Sequence, residues 1–517
     1  MTTPPRTPPS RTPPPRRGPA GSSGAPAKTR NVARRDIDPA RQVAWKVLRA
    51  VSGQDAYANL TLPRLLRQAK LSGRDAAFAT ELTYGALRGR GTYDAVLAAC
   101  SDRPLDQVDP ELLDALRIGV HQLLGMRVPA HAAVAATVDL VRAEVGQGAA
   151  GFANAVLRKV SARELAGWVE RLAPPLDADP DAHLALAHAH PVWIVRALRD
   201  ALRFAGRNGS ELAALLAADN ERPTVTLAAL PGLAGRDDLL AAGAVQAGDL
   251  SPVAAVAVGA PDDLPLVRQG RVRVQDEGSQ LVALALAQAP LLGPDAGRWL
   301  DLCAGPGGKA ALLAATLLVR RSAGELPSDA RLVATEVAAH RVDLVRISVG
   351  GVVAAAAGTA EVVELREGDA RVVADDEMGL ADRVLVDAPC TGLGALRRRP
   401  EARWRRQPSD LAALGPLQRD LLRAALAAVR PGGVVAYVTC SPHPAETRLV
   451  VDDVLRTVPG VVRLDARDVI NEVVGAGAGR ASARDLDLGP GPDVQLWTHV
   501  HGCDAMFLSL LRRELLG

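Results

Sequence analysis

The stretch WLDLCAGPGGKA, residues 299–310, decides the fold of the larger half of this sequence. Its first part, Trp299 to Ala304, is an apolar run that predicts a β-strand, and Ala310 to Val319 predicts a helix. Glycines between a strand and a helix let a ligand approach the backbone, and the helix N-terminus offers free N–H groups. The turn is neither G-x-G-x-x-G nor a Walker loop, because no Ser or Thr follows Lys309. Ligand binding and a purely structural turn both remain open at this point.

Strands and helices alternate downstream of this turn. Four further strands are predicted, at Arg331–Glu336, residues 362–365, Arg383–Pro389 and Gly433–Thr439. A leucine-rich stripe from Leu414 to Val429 predicts the helix before the last strand, and Pro431-Gly432-Gly433 is expected to stop it. This alternation predicts an α/β domain with a parallel-rich sheet, covered by helices on both faces, over residues 276–517.

Two acidic residues follow predicted strands of this sheet. Glu336 ends the second strand, where an acid can accept two hydrogen bonds from ribose hydroxyls; the alternative is an ordinary surface glutamate. Asp369, in the segment EGDA, follows the short strand at 362–365 and could face the edge of an adenine ring. Ligands of open α/β sheets bind at the carboxyl ends of the strands, so both acids are candidate ligand-binding residues.

Two cysteine-containing segments, VLVDAPCTGLG (384–394) and VVAYVTCSP (434–442), share one arrangement. Each places a cysteine, Cys390 or Cys440, just beyond the carboxyl end of a predicted parallel strand and close to a proline. Buried cysteines are usually small core residues, which is the interpretation we favour for Cys100 and Cys503 and, from its position alone, for Cys303. At the strand ends this interpretation weakens, and we expect two thiols, Asp387 and the glycine turn to converge on one edge.

Methylation of a pyrimidine at carbon 5 needs such a set of groups. Addition of a thiolate to carbon 6 makes carbon 5 enolate-like, so that it can attack an electrophilic methyl group. The thiol must ionise, which requires nearby cationic or dipolar groups to lower its pKa. A carboxyl group at the N3 edge of the ring can stabilise the adduct, and the ring must be unstacked to be reached from its face. By this chemistry alone, either Cys390 or Cys440 could be the attacking thiol.

Length and composition set the wider frame. A chain of 517 residues is long enough for about three domains, and 48% apolar with 23% charged residues suits a globular protein. Five cysteines without a C-x-x-C pair make a disulfide framework or a structural zinc site unexpected, and no metal is predicted. The sequence has neither a signal-peptide pattern nor a long apolar run. We therefore expect a cytoplasmic protein without membrane contact, and a monomer.

The N-terminal residues 1–38 form a basic, Pro-rich tail predicted to be disordered. Eight basic side chains and no acid lie in residues 1–35, so the rest of the chain carries a negative formal charge, although the whole has +3. A solvated tail without a specific role and weak, sequence-independent attraction to RNA are both open. Any RNA contact by the body of the protein must then use local basic patches.

Residues 39–170 are predicted to be all helical. Leu112, Leu116, Val120 and Leu123 line one helical face behind the start signal Asp109-Pro110, and further helices are expected through residues 134–141 and 151–160. Residues 171–275 mix the two patterns: a helix is expected over residues 193–202 and a strand over 224–227. We interpret this region as a small α+β linking subdomain, in which the sequence shows no function.

Two resemblances emerge from these segments. ARQVAWKVL from Ala40 and GFANAVLRK from Gly151 resemble the NusB-like domain, an RNA-binding helical bundle. DLCAGPGGK, DAPCTGLG and TCSP together resemble the RNA cytosine-5 methyltransferases. With both halves, the chain resembles the bacterial ribosomal RNA small subunit methyltransferase B family, which acts on 16S rRNA. The resemblance implies a Rossmann-like S-adenosylmethionine methyltransferase domain and 16S rRNA as the partner.

The resemblance also implies residue roles. Cys440 would attack carbon 6 of the cytosine, Cys390 would assist release of the product, and Asp387 would contact the cofactor or the ring. The residues implied to bind or line S-adenosylmethionine are Cys303, Ala304, Gly305, Pro306, Gly307, Gly308, Lys309, Glu336, Asp369 and Asp387. DNA cytosine-5 methyltransferases use the Pro-Cys thiol instead and lack the Thr-Cys one, so the pair indicates RNA.

A basic segment directly follows Cys390. It contains one tryptophan among dense arginines, and the candidates for RNA contact are Arg397, Arg398, Arg399, Arg403, Trp404, Arg405 and Arg406. Arginine suits phosphate contact and tryptophan suits base stacking, whereas the alternative is a solvated basic loop.

Two other functions remain as alternatives to methylation of 16S rRNA. The enzyme could act on tRNA or another RNA, against which the NusB-like region argues. The chain could also be a non-catalytic RNA-binding or antitermination-type factor with a decayed enzyme domain. Intact Cys390, Cys440, Asp387 and glycine turn argue against decay.

Overall fold

The computed structural model describes residues 37–242, 245–257, 259, 261–476 and 486–515. The predicted basic tail, residues 1–38, lies outside these ranges except for its last two residues. No helix in the part of the chain so described is long and apolar enough to cross a membrane.

The N-terminal region is a bundle of helices, and the predicted all-helical domain is confirmed. Asp38 caps the first helix by accepting a hydrogen bond from the backbone N–H of Arg41 at 2.9 Å. The helices are α1 (Pro39–Gly53), α2 (Ala58–Gln68), α3 (Gly73–Arg88), α4 (Arg90–Cys100), α5 (Pro110–Val120), α6 (Ala130–Glu144), α7 (Gln147–Val160) and α8 (Leu165–Leu172).

Helix α5 starts as predicted, with Asp109 as its cap and Pro110 in its first turn. It ends at Val120, and a single π-helical turn, His121–Gly125, continues it. Leu123 therefore lies beyond the regular helix, although it still packs against the bundle core. The stripe predicted from the sequence is correct in its face and too long by one turn.

The linking region contains helices followed by a small antiparallel sheet. Its helices are α9 (Pro180–Ala187), α10 (Val192–Phe204), α11 (Leu212–Ala218), α12 (Arg236–Ala241) and α13 (Pro265–Arg268), and its strands are β1 (Thr226–Ala229), β2 (Val245–Ala247), β3 (Ala254–Ala257) and β4 (Val272–Val274). The strand order is β2-β3-β1-β4. The predicted strand at 224–227 is thus present, displaced by two residues.

The C-terminal region is the predicted α/β domain. Its strands are β5 (Arg298–Asp301), β6 (Arg331–Glu336), β7 (Val363–Glu367), β8 (Ala381–Asp387), β9 (Val429–Thr439), β10 (Val461–Leu464), β11 (Val494–Gln495) and β12 (Phe507–Arg513). Its helices are α14 (Glu277–Gln288), α15 (Gly308–Ser322), α16 (Ala339–Ala355), α17 (Ala370–Asp376), α18 (Ala402–Arg405), α19 (Pro408–Ala428), α20 (Arg448–Leu455), α21 (Ala466–Gly475) and α22 (Thr498–His501).

The strand order of the large sheet determines where a ligand-binding crevice opens. The order is β10-β12-β9-β8-β5-β6-β7, with β11 paired to β12. The five strands β9, β8, β5, β6 and β7 are parallel, whereas β12 runs antiparallel to β9. Apolar side chains cover both faces in two clusters, which helices α14, α15 and α16 close on one side and α19 and α20 on the other. Because successive connections diverge on either side of β5, a crevice for a ligand opens at its carboxyl end.

The Pro431-Gly432-Gly433 turn differs from its prediction. It does not stop the helix, because α19 already ends at Ala428 and β9 begins at Val429. The turn instead lies inside β9, where the pairing with β8 shifts register between Ala381 and Arg383. Gly432 has a positive φ of 80°, which fits a bulge in a strand.

Candidate functional site

The glycine turn joins β5 to α15. Two of its glycines are needed because a Cβ atom there would clash with neighbouring residues. Gly307 has a φ of 106°, and a Cβ there would lie 2.5 Å from Cβ of Ser348. A Cβ on Gly305 would lie 2.2 Å from Oε2 of Glu336. The backbone of this turn therefore lies directly against neighbouring elements and starts the helix at Gly308.

The other predicted residues of the turn are held by the backbone and by α16. The N–H of Ala304 donates to the carbonyl of Thr335 at 2.9 Å, and the carbonyl of Pro306 accepts from the Ser348 hydroxyl at 2.8 Å. The thiol of Cys303 is partly buried, and burial raises its pKa well above the ordinary value. Cys303 is thus a protonated thiol beside the turn.

Glu336 ties the turn to the end of β6. It is 5% exposed, and its carboxylate accepts hydrogen bonds from the N–H groups of Gly305 and Ala338, each at 3.2 Å. Arg341 lies 3.3 Å from the same carboxylate and donates to the carbonyl of Gly305 at 2.8 Å. Arg341 is not recognisable from the sequence, since a single arginine in the first turn of a helix belongs to no motif.

Asp369 lies two residues beyond β7, at the same edge of the sheet. It caps helix α17 by accepting the N–H of Arg371 at 2.9 Å, and its carboxylate pairs with the Arg371 guanidinium at 2.6 Å. These hydrogen bonds lower the pKa of Asp369 below its ordinary value. The side chain is therefore an ionised carboxylate at the rim.

A partly buried ion pair joins the turn to β8. Nζ of Lys309 donates to Oδ2 of Asp387 at 2.7 Å. Burial alone would lower the pKa of Lys309, but Asp387 outweighs it, and the pKa is raised. Asp301, at the end of β5, is 1% exposed, and burial together with the Asp387 charge raises its pKa to about 7. Its Oδ2 has no hydrogen-bond partner.

The structure brings Cys390 and Cys440 into contact. Their Sγ atoms are 3.4 Å apart, although the residues are fifty positions apart in the chain. The N–H of Gly394 donates to the carbonyl of Cys440 at 2.9 Å, which fixes the two turns against each other. The carboxyl ends of β8 and β9 are adjacent in the sheet, so the predicted convergence of the two thiols has a simple topological cause.

The two thiols have opposite acidities. The hydrogen bond between them lowers the pKa of Cys440 against the effect of burial, and Arg399 and Lys309 lower it further. The same hydrogen bond and burial raise the pKa of Cys390 well above its ordinary value. Of the two thiols, Cys440 is therefore the one that ionises more readily, and Cys390 is the one that retains its proton.

A buried carboxylate that the sequence analysis missed holds the Cys390 turn. Glu446 is fully buried and accepts from the backbone N–H of Thr391 at 2.7 Å and from its hydroxyl at 2.5 Å. Gln418 donates to the same carboxylate at 3.3 Å and to the carbonyl of Pro389 at 2.9 Å. The only signal in the sequence is a glutamate six residues after Cys440, between that cysteine and the start of α20.

The arginine segment lies at the junction of three regions. Arg397 is 7% exposed and donates to the carbonyl of Gly502 at 2.9 Å. Arg398 forms an ion pair with Asp504, whose pKa burial raises to about 6. Both side chains thus connect the arginine segment to the loop before β12.

The rest of the segment reaches the helical regions. Arg403 is fully buried and donates to the side chain of Asn220 and the carbonyl of Asp219, both at 2.7 Å. Arg405 donates to the carbonyls of Val51 and Ala56 in the N-terminal bundle. These contacts are structural, and Arg403 offers no surface to RNA.

Three candidates of the segment remain. Trp404 is partly buried, and a Cβ on Gly91 of α4 would lie 2.5 Å from its ring. Arg406 is partly exposed, 3.7 Å from Asp410. Arg399 is exposed, and its guanidinium lies over the Tyr57 ring at 5.9 Å from the centroid. Of the seven predicted residues, Arg399 is therefore the one most open to solvent.

No group of three or more His, Cys, Asp or Glu side chains that could hold a metal ion occurs within the described ranges. The site consists of a glycine turn, a partly buried lysine, two thiols and four carboxyl groups at or just beyond strand ends, namely Asp301, Glu336, Asp369 and Asp387. With the Rossmann-like sheet, this set defines a methyltransferase of the nucleotide-binding α/β class.

Comparison with known proteins identifies the family. Residues 289–512 match the model described as 16S rRNA methyltransferase RsmB/F, and residues 38–162 match the NusB family. A Mycobacterium tuberculosis protein curated as "Putative methyltransferase Rv1407" is 52% identical, over 94% of this chain and 99% of its own length. The ribosomal RNA small subunit methyltransferase B of Xanthomonas campestris is 33% identical, over 91% of this chain and 96% of its own length.

A solved structure shares the whole fold. The crystal structure of PH0851 superposes with a TM-score of 0.71 at 21% identity and covers 92% of this chain and 99% of its own. The chain belongs to the RsmB/F family and is an S-adenosylmethionine-dependent RNA methyltransferase with an N-terminal NusB domain.

Proposed function

We propose that this enzyme methylates carbon 5 of a cytosine in 16S rRNA, through a covalent bond between Cys440 and carbon 6 of the ring. The observation that carries the proposal is the contact between Cys390 and Cys440 at 3.4 Å, with the pKa of Cys440 lowered and that of Cys390 raised. An ionised thiol next to a protonated one is what attack and later release of a pyrimidine ring require.

The residues of the crevice fit S-adenosylmethionine. Glu336 and Asp369 offer carboxylate oxygens to hydroxyl and amino groups, and the glycine turn leads into the N-terminus of α15, which no side chain caps. Buried Asp301 has an unpaired oxygen that a donor group of the ligand would satisfy. When bound, the cofactor supplies an electrophilic methyl group. Lys309 lines this site, and one of its three N–H groups donates to Asp387.

Attack begins at the Cys440 sulfur. Its thiolate forms a bond to carbon 6 of the cytosine, and the electron pair of the carbon 5–carbon 6 double bond becomes available at carbon 5. Carbon 5 then forms the bond to the methyl carbon of the donor, whose bond to the sulfonium sulfur breaks, so that the neutral thioether S-adenosylhomocysteine is left. Lys309 donates to Asp387 near this thiol, and a carboxyl group there can hold the N3 edge of the ring while charge builds up on it.

In the release step, the bond between Cys440 and carbon 6 is broken. Carbon 5 loses its proton to a base, the double bond re-forms, and the bond between Cys440 and carbon 6 breaks, returning the electron pair to sulfur. Cys390 donates a hydrogen bond to this sulfur in the free enzyme, and the same contact stabilises the departing thiolate. We therefore assign attack to Cys440 and assistance in release to Cys390.

Two variants test the assignment. Cys440→Ala should abolish transfer of labelled methyl groups from S-adenosylmethionine to rRNA. Cys390→Ala should accumulate a covalent protein–RNA adduct, seen as a slow band on a denaturing gel. Cys503→Ala, another buried thiol, is the control and should behave as wild type. An adduct trapped by Cys440→Ala, or substantial activity in that variant, would overturn the roles.

The substrate is supported by the relatives named ribosomal RNA small subunit methyltransferase B. Bisulfite sequencing of rRNA and tRNA from cells with and without the gene tests it. We expect a 5-methylcytosine to disappear from 16S rRNA. Its disappearance from tRNA, with 16S rRNA unchanged, would replace the proposed substrate by a tRNA.

A further inference from the structure

We propose that Tyr57 of the NusB domain and Arg399 of the catalytic domain together form a stacking site for a nucleotide flanking the target cytosine. The site takes a single-stranded RNA segment, whose base lies on the tyrosine ring and whose phosphate meets the guanidinium. The inference rests on the proposed function for the identity of the substrate, and it extends the RNA-binding surface onto the N-terminal bundle.

Tyr57 is an exposed aromatic side chain in a protein with few of them. Aromatic residues make up 3% of the chain, and the Tyr57 side chain, at the start of α2, is 46% exposed. Arg405, fixed by hydrogen bonds to the carbonyls of Val51 and Ala56, lies 5.3 Å from the ring centroid. Arg405 therefore helps to hold the ring in place, and nearly half of the Tyr57 side chain remains exposed to solvent.

Arg399 is the second half of the site. Its guanidinium lies 5.9 Å from the Tyr57 centroid, and no ion pair joins it to a carboxylate of the described chain. This distinguishes it from Arg398 and Arg406, which pair with Asp504 and Asp410. A solvent-exposed arginine without a carboxylate partner is free to bind a phosphate.

The same arginine connects this surface with the reaction centre. Its positive charge is close enough to lower the pKa of Cys440. Arg399 thus acts on the attacking sulfur through its charge and also lies beside the Tyr57 ring. The nearby carboxylates are Asp55, which lies 4.0 Å from Arg405, and Glu401, which accepts the N–H of Ala58 at 3.3 Å and is 3% exposed.

The chemistry of the pair fits a nucleotide better than a peptide. Every base has a π-face that stacks on an aromatic ring, and its phosphate supplies the anion that an adjacent arginine attracts. Tyr57 lies outside the reaction centre and on another domain. This position fits a nucleotide next to the target and not the target base itself. The target itself must leave the stack, and a platform for its neighbour would hold the strand open.

The test measures binding of the full-length protein to a short fluorescent oligocytidylate by anisotropy. Tyr57→Ala should weaken binding about 5- to 150-fold, the range for loss of one base–aromatic stack. Tyr57→Phe keeps the ring and should bind as wild type. Leu60→Ala, on the same helix and 59% exposed, is the matched control and should also bind as wild type.

Salt dependence tests the arginine. Arg399→Gln should reduce the slope of log binding constant against log salt concentration by about 0.7, the value for one phosphate contact on a single strand. Equal affinity of Tyr57→Ala and Tyr57→Phe, or an unchanged slope in Arg399→Gln, would overturn the stacking site.

These results are separable from the proposed function. A wild-type protein that binds oligocytidylate through Tyr57 but forms no 5-methylcytosine supports the site and refutes the reaction. A wild-type protein that methylates cytosine, while Tyr57→Ala keeps both the affinity and the KM for rRNA, refutes the site and leaves the reaction intact.

Discussion

At the scale of single residues, the environment distinguishes two thiols that the sequence leaves equivalent. Both Cys390 and Cys440 follow parallel strands, and chemistry alone allows either to attack. The structure adds a direct hydrogen bond between them and, on the side of Cys440, the charges of Arg399 and Lys309. These cations favour the thiolate on Cys440, so the asymmetry depends in part on residues that lie outside both cysteine motifs.

This asymmetry predicts a pH dependence. Alkylation requires the thiolate, so the rate at Cys440 should rise with pH around a midpoint below the ordinary thiol pKa. Cys390→Ala removes the donated hydrogen bond and should shift this midpoint to higher pH. Iodoacetamide labelling at a series of pH values, followed by peptide mass spectrometry, measures it. A midpoint that is the same in wild type and Cys390→Ala would show that the contact does not control ionisation.

Gly305 permits a second prediction at this scale. A Cβ there would lie 2.2 Å from Oε2 of Glu336, so Gly305→Ala must displace the carboxylate that anchors the turn. We expect binding of S-adenosylmethionine, measured by calorimetry, to weaken about tenfold or more. Gly350→Ala is the control, since a Cβ on this exposed helical glycine meets nothing within 4 Å. Unchanged cofactor affinity in Gly305→Ala would argue against the turn as the binding element.

At the scale of elements, the sequence predicts what local pattern determines. Strand β6 lies where apolar alternation places it, and the glycine turn starts α15 within two residues of the prediction. Pro431-Gly432-Gly433 was wrong as a helix stop, because pairing with β8 recruits these residues into a bulged strand. Local preference and sheet pairing compete there, and only the pairing partner decides.

In the arginine segment, likewise, the density of charge in the sequence does not reveal which side chains are exposed. Its density of arginines indicates RNA contact, but Arg403 meets Asp219 and Asn220, almost two hundred residues earlier in the chain. Burial raises the pKa of Asp219 to about 7 and lowers that of Arg403 to about 10. Such a buried cation stabilises the junction between the α/β domain and the linking region. Composition alone cannot distinguish it from the exposed Arg399.

Arg403 should therefore matter for stability. Arg403→Met leaves the carbonyl of Asp219 and the side chain of Asn220 without their donor, and each buried acceptor left unsatisfied costs about 1–3 kcal/mol. We expect a lower midpoint of thermal unfolding, measured by circular dichroism. Arg406→Met is the matched control from the same segment, since its ion pair with Asp410 is partly exposed and should contribute less than about 1 kcal/mol. Equal midpoints for the two variants would contradict a structural role for Arg403.

At the scale of the whole molecule, the order of regions follows from the sequence, and their packing does not. Helical periodicity and alternating strands divide the chain into a helical bundle, a linking subdomain and an α/β domain. The contacts that fix the bundle against the α/β domain join residues more than three hundred positions apart, such as Arg405 with Ala56. No periodicity encodes such pairs, so the surface that combines Tyr57 with Arg399 is visible only in the folded chain.

These contacts predict that the bundle stays attached after the chain is cut. A protease site introduced at exposed Leu176 would separate α1–α8 from the rest of the protein. Because Arg403 donates toward the carbonyl of Arg88 and Arg405 toward two carbonyls of the bundle, the cleaved halves should elute together in gel filtration. The cleaved Arg403→Met protein should separate into two peaks, whereas cleaved Arg406→Met should not. Separation of the cleaved wild-type halves would show that the covalent link, and not the arginine junction, holds the bundle beside the catalytic site.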